Sequence, residues 1–559
     1  MKKWQIVNNL KTKDNKQRID EIIKLLLENR GLKTNKQIDE FLNPPNPISQ
    51  TLNPSTLGIN AHQLKKAIQR IEKAIDNKES IVVYGDYDAD GICGTALLWE
   101  SLNKLGAKVM PYIPHRVDEG YGLSQKGIDT VKSEYNADLI ITVDHGIGAV
   151  EKINYAKKQE IEVIITDHHV VPDKLPDALA IIHTTQLCGA GVAWMLVKEI
   201  IQTTKNSELI TQNSLDLVAI ATIADMVPLT EANRTLVIYG LKELNHTKRI
   251  GLQALMREAG IERGGIGTYE ISHLLAPRLN AMGRLEHAMD SLRLLCTNDE
   301  KRSFELAKLL DKTNRARQDL VEQTLIHAKN YYHETENKAN KLIFLHHESY
   351  QQGVIGLVAG KLVEEFYRPA IVVSWGETYS KASARSINGF NIIETIRKAQ
   401  DLLVDCGGHP MAAGFTVETK NLISLQKKLV DIANQELDDE KLTRVLKIDC
   451  ELKLDDLTFN LYEELSKFKP FGLGNPEPVF TSKGVIVEDV RIIGSGGKHL
   501  RMTISDDSST IFPAIAFCFG GLCAKLKPDH PIDIAYTLSV NEWKGNKKLE
   551  LKIKDIRLV

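Results

Sequence analysis

The stretch YGDYDADG, residues 84–91, follows the apolar run IVV and places Asp86, Asp88 and Asp90 at alternate positions. In extended backbone alternate side chains share a face, so the three carboxylates are expected to converge. Three neighbouring anions raise one another's pKa unless a cation neutralises them. Hard divalent ions prefer oxygen ligands, which implies magnesium, manganese or calcium. The carboxyl end of a strand is also where open α/β sheets place their ligands. D-x-D-x-D-G opens an EF-hand as well, but the twelfth position of that loop must be Glu and here it is Leu97. A solvated acidic turn is the plainer alternative, and it is weighed by the rest of the chain.

Outward from this stretch, three segments repeat the pattern of an apolar run closed by acid or histidine. LIITVDHG ends in Asp144 and His145, VIITDHH in Asp167, His168 and His169, and AIATIADMVPL presents Asp225. Read as strands of one parallel sheet buried on both faces, they bring these groups to a single rim. A single histidine near a core, such as His145 or His183, is more often structural. Adjacent histidines after an aspartate at a strand end are harder to read that way. Mixed carboxylate and imidazole ligands favour manganese, with magnesium possible and zinc less suited. The ligands suffice for two ions, which could clamp the attacking and leaving oxygens of a phosphoryl transfer. Asp144 is the natural residue to reach both. One of the two adjacent histidines can ligate while the other assists the leaving group.

Five segments are expected: residues 1–75 helical, 76–240 the α/β catalytic domain, 241–337 a helical connector, 338–440 a second α/β domain, and 441–559 a barrel. Residues 300–333 lack Gly and Pro and read as one long helix. Five short strands in the last part suit an OB-fold-like barrel. There Lys498, His499, Arg501, Trp543, Lys544 and Lys548 are candidate contacts for a single strand, or an ordinary solvated face.

The formal charge of −2 announces no nucleic-acid partner, so such a reading needs local patches. Seven cysteines without a C-x-x-C pair argue against a disulfide framework and a zinc ribbon. The start, MKKWQIVNNLKTKDN, has no apolar leader core, and no run approaches 18 apolar residues, so the cytoplasm is expected. A Walker A loop fails at Ile355 and Leu362, and neither H-E-x-x-H nor G-x-S-x-G occurs.

The ordered blocks YGDYDADG, VDHG, TDHH and ADMVPL continue with RLNAMGR (278–284) and QGVIGLVAGKLVEEFYRP. SARSINGF, GGHPMAAG (407–414) and PFGLGNPEPVF (470–480) follow. Together they resemble the DHH phosphoesterase superfamily, and within it the RecJ family of single-strand-specific 5′→3′ exonucleases. The resemblance implies two α/β lobes, DHH and DHHA1, joined by a long helix, plus a C-terminal OB-fold β-barrel. It implies two Mn2+ or Mg2+ ions held by Asp86, Asp88, Asp90, Asp144, His168 and Asp225, with His169 as the catalytic histidine. Arg116, Ser383 and Arg385 match a 5′-phosphate pocket, and Arg284 and His409 match residues that hold the substrate backbone. Single-stranded DNA is the implied substrate, degraded to mononucleotides in repair and recombination. A RecQ-type helicase and a single-strand-binding protein are implied partners. A monomer without membrane contact is expected from a self-contained cleft. Tyr84 stands where many superfamily members carry a metal-binding histidine. The alternatives are a hydrolase of short oligonucleotides or cyclic dinucleotides, and a non-catalytic scaffold.

Overall fold

A computed structural model describes residues 2–10, 18–48, 52–116, 118–204, 214–262, 264–334, 340–507, 510–528, 530–543 and 545–559. The chain divides into two units, one of residues 46–227 and 235–443, the other of 1–45, 228–234 and 444–559.

In the first unit, the β-branched runs form strands β1 (Ser80–Gly85), β2 (Lys108–Tyr112), β3 (Leu139–Val143), β4 (Glu162–Asp167) and β5 (Ala180–His183). All pair in parallel, in the order β2-β1-β3-β4-β5. Every residue of β1 and β3 is buried, which is why these runs are continuously apolar instead of alternating. The chain leaves β1 towards β2 and returns on the other side to β3. The direction of winding therefore reverses between β1 and β3, and a crevice opens beyond their carboxyl ends. Asp86 and Asp144 follow these two strands.

Helices α1 (Ala89–Lys104), α2 (Gly189–Thr204) and α3 (Leu215–Ala224) belong to this lobe. The run ending at Asp225 was expected as a strand, and it is helix α3. Its residues Leu215–Ile223 are all buried, so the helix has no polar face to reveal its period. Helix α4 (Ala276–Leu285) precedes the 35-residue α5 (Glu300–Glu334). A second sheet contains β6 (Ile343–His347), β7 (Ala370–Ser374), β8 (Tyr379–Arg385), β9 (Leu403–His409) and β10 (Ala412–Glu418). Its order is β9-β10-β8-β7-β6, with only β6 and β7 parallel. Helix α6 (Ile355–Phe366) lies between β6 and β7 in the chain.

The second unit is built on β11 (Phe480–Ile493), β12 (His499–Ser505), β13 (Ile511–Ala516), β14 (Pro531–Trp543) and β15 (Asn546–Leu558). Pairing runs β11-β12-β13-β15-β14, and β14 returns to β11, closing a five-stranded barrel with OB-fold topology. Residues 1–45 pack here: Lys3–Ile6 pairs with Val445–Ile448, and Ile22, Leu25 and Leu26 join the barrel's core. The block at 470–480 is structural in this unit. Asn475 is fully buried, donates to the carbonyls of Phe468 and Pro470, and accepts from Arg30. On the barrel surface Lys498, Arg501 and Lys548 are exposed, and His499 packs against Phe517 at 5.3 Å. Lys544 and the Trp543 side chain lie outside the described residues.

Arg234 is the largest charge buried in this unit. It donates to the carbonyls of Phe41, Phe468 and Lys467, and its guanidinium lies 3.9 Å from the Phe41 ring centre. An Arg234→Met variant leaves three carbonyls without donors, at a cost of about 2 kcal/mol. The expected outcome is earlier loss of amide protection in the barrel strands, measured by hydrogen exchange in urea.

Candidate active site

The turn after β1 builds the acidic cluster, but through different geometry from an extended strand. The strand stops at Gly85, and Asp88 caps helix α1, accepting from the amides of Asp90 and Gly91. Asp90 therefore sits in the first helical turn. Its carboxylate accepts from the amides of Gly189 (2.6 Å) and Ala190 (2.7 Å) at the start of α2. Asp144 follows β3 in left-handed backbone, with φ of 68°. Asp225 caps the C-terminus of α3.

Potential ligand atoms gather into three overlapping groups, each within 4.8 Å: Asp86 with Asp88 and Asp144, Asp90 with His168 and Asp225, and Asp144 with His168 and His169. His168 Nε2 lies 3.0 Å from Asp144 Oδ1, 3.6 Å from Asp225 and 3.8 Å from Asp90. Burial, reinforced by neighbouring aspartates, raises the pKa of Asp86 and Asp144. The same causes push Asp90 up to about 7 and Asp225 to about 9. Asp86 Oδ1 and Asp144 Oδ1 are buried without a hydrogen-bond partner. Orphaned carboxylate oxygens with a nearby imidazole fit divalent cations of the manganese or magnesium type. His168 suits ligation because burial, followed by the charge of His169, holds its pKa near 4 and its ring neutral.

His169 has a different setting. Asp167 Oδ1 meets its Nδ1 at 2.8 Å and accepts from the amides of His168 and His169, while Oδ2 accepts from Ile147. Burial opposes protonation of His169, but the Asp167 contact outweighs it and raises the pKa. The Asp167 carboxyl stays well below its usual range despite burial, held by these hydrogen bonds. His409, at the end of β9, stacks on His169 with ring centres 6.1 Å apart.

A pocket of cations adjoins the acids. Arg116 lies 4.9 Å from the Tyr87 ring centre, and its charge acts on Asp86. Arg284 donates to the Gly353 carbonyl, and Arg385 donates to Ser383 Oγ. Burial, then repulsion from Arg116, Arg317 and Arg385, lowers Arg284 to about 10. Burial and Arg116 lower Arg385. Among the described residues, Arg116, Arg284 and Arg385 make no ion pair. A Cβ on Gly356 would lie 2.9 Å from Ser383 Oγ, and one on Gly353 only 2.3 Å from the Arg284 carbonyl. Glycine at both positions lets the start of α6 reach this pocket.

All twelve candidate residues lie in the first unit, in these neighbouring groups. Tyr84, in contrast, turns away from the acids. It packs against Tyr112 and His145. Three contributors escaped the sequence reading. Asn280 Oδ1 accepts from Ala89, fixing the acidic turn. Gly189 leaves space that a Cβ, 2.5 Å from the Asp144 side chain, would fill. Tyr121 Oη lies between Asp144 and His169. Asn280 falls inside RLNAMGR and Tyr121 five positions after Arg116, so a signal was present without a role attached.

Family models match three segments: the DHH family, N-terminal domain (80–222), the DHHA1 domain (339–435) and the RecJ OB domain (448–555). The chain is 39% identical over 503 residues to the single-stranded-DNA-specific exonuclease RecJ of Bacillus subtilis, covering 88% of this chain and 63% of that protein. It is 30% identical to the Haemophilus influenzae protein of the same name, covering 94% of each. The crystal structure of Thermus thermophilus RecJ in complex with Mn2+ aligns with a TM-score of 0.82 and 29% identity, over 99% of this chain and 79% of that one. A Mg2+ complex of the same protein aligns with a TM-score of 0.77 and 28% identity, over 99% and 78%.

The raised carboxyl pKa values set a pH dependence. Folded Asp90 and Asp225 retain protons near pH 7 and 9 that an unfolded carboxyl releases near its ordinary value of 3.8. Between these limits the folded state binds more protons, so metal-free stability falls as pH rises from about 5 to 9. Manganese replaces the protons and flattens this slope. Thermal melting across that range in chelator and in excess Mn2+ measures both effects. Asp144→Asn is expected to reduce the manganese-induced rise in melting temperature.

Proposed function

The chain belongs to the RecJ family of DHH phosphoesterases, and on that premise we propose that it is a metal-dependent exonuclease of single-stranded DNA. It degrades the strand from its 5′ end and releases 5′-mononucleotides. The observation that carries this reading is the pairing of two opposite sites. A buried carboxylate–imidazole cluster stands beside arginines that, among the described residues, form no ion pair, with Tyr87 between them.

Asp86, Asp88, Asp90, Asp144, His168 and Asp225 would hold the metal ions. The bound ions supply Lewis-acid stabilisation of phosphoryl charge and favour ionisation of the attacking water. The protein's own groups bind and orient the strand. Arg116, Ser383 and Arg385 receive the terminal 5′-phosphate, where guanidinium groups give charge-assisted, directional hydrogen bonds. One fixed end defines polarity. Arg284 and His409 hold the following backbone. His169, oriented by Asp167, presents Nε2 to the departing oxygen as a general acid.

Residues 76–240 supply the catalytic domain, 241–337 the connector and 338–440 the DHHA1 domain, while 1–75 and 441–559 flank them. The same reading extends to DNA repair and recombination in the cytoplasm, as a monomer working beside a RecQ-type helicase and a single-strand-binding protein. Among the described residues, no helix is long and apolar enough to cross a membrane.

The test follows single strands labelled at either end, with and without Mn2+. Mononucleotides are expected from the 5′ label first, only with metal, and Asp144→Ala removes the activity. Arg385→Ala is expected to raise KM for a 5′-phosphorylated strand about tenfold, or ~1.4 kcal/mol, and to abolish its advantage over a 5′-hydroxyl strand. Release from the 3′ end first would refute the assignment.

A further inference from the structure

Tyr121 is not among the residues assigned above, yet its hydroxyl joins two of them. Its backbone is set by Gly120 and Gly122, both in left-handed conformation with φ of 83° and 67°. A Cβ on Gly122 would stand 3.3 Å from the His145 ring, so this turn is pressed against the end of β3. The Tyr121 ring meets His169 edge-on at 5.9 Å and Tyr87 at 6.2 Å. Although 53% of the residue is open to solvent, its hydroxyl reaches into the site.

Tyr121 Oη donates to the Asp144 carbonyl at 3.1 Å and lies 3.2 Å from His169 Nε2. The hydroxyl proton is committed to that carbonyl, so Oη offers His169 only lone pairs. Asp167, a carboxylate, likewise only accepts at Nδ1. Contacts at both Nδ1 and Nε2 fix the orientation of the ring from two sides. The same hydroxyl fixes the Nε2 side of the imidazole relative to the backbone of Asp144.

We propose that Tyr121 is a positioning residue that fixes the Nε2 edge of the His169 ring, holding it in place for proton transfer to the departing 3′ oxygen. This rests on the proposed role of His169 as general acid. In that step the water oxygen bonds to phosphorus and the water proton passes to solvent. The P–O3′ bond breaks with its electron pair on O3′, which takes the proton from Nε2. Tyr121 forms no bond to substrate. It holds the donor in place until O3′ takes the proton.

Tyr121→Phe keeps the ring and removes the hydroxyl. Its expected effect is a fall in kcat of about tenfold with KM for 5′-phosphorylated single strands unchanged, the scale of one lost orienting hydrogen bond. In a His169→Ala background the same substitution is expected to cost less than about twofold, because its effect passes through the missing ring. A strand with sulfur in place of the scissile O3′ supplies a second readout. A thiolate leaves without a proton, so Tyr121→Phe is expected to match the parent enzyme on it. In metal-free protein the 15N resonance of His169 Nε2 shifts on Tyr121→Phe while the melting temperature holds. Additive losses in the double variant, or a tenfold deficit persisting on the sulfur strand, overturns the role of Tyr121 alone. Parent-like turnover by His169→Ala overturns the general-acid reading and this inference with it.

Discussion

The site is governed by the cost of confining like charge. Asp86, Asp90 and Asp144 are almost wholly buried within one crevice, where an unneutralised carboxylate is strongly disfavoured. Two solutions exist, a proton or a cation, and the raised pKa values show how far the cluster leans on the first when alone. The surrounding chain is arranged to tolerate that tension. Asp88 is tied to the first turn of its own helix, and Asp90 to the first turn of another. Gly91 and Gly189 leave room where any Cβ would strike Asp86 or Asp144. The winding reversal between β1 and β3 explains why the crevice lies where it does.

The arginine pocket is the electrostatic inverse of the acid cluster. Burial and the charge of Arg116 lower the proton affinity of Arg284 and Arg385, so an anion entering between these groups relieves repulsion. Segments far apart in sequence build it: the loop after β2, helix α4, the start of α6 and strand β8. The β9–β10 hairpin adds His409 against His169. His169 thus touches both lobes of the first unit, and a ligand bridging acids and arginines would engage both at once.

Much of this was legible because strand-end chemistry leaves local traces. The runs before Asp86, Asp144 and Asp167 are β-branched and bounded, and they form the expected parallel strands. Asp225 shows where such reading stops. Its preceding run is buried all round, so helix and strand produce the same apolar pattern. The spacing of Asp86, Asp88 and Asp90 also suggested an extended segment, whereas Asp88 is an N-cap and turns the chain into a helix. Caps compete with extension at short polar residues, and only the tertiary setting decided between them. Contacts such as Asn280 to Ala89, or Ile22 in the barrel core, join residues hundreds of positions apart and leave no local mark.

The pair of backbone amides holding Asp90 has a consequence for which ions the crevice can accept. Both carboxylate oxygens are anchored, one by Gly189 and one by Ala190, so this side chain cannot swing to wrap a larger guest. The helix start beneath Asp90 thereby sets this carboxylate before any ion arrives, so a guest must meet the donor as it stands.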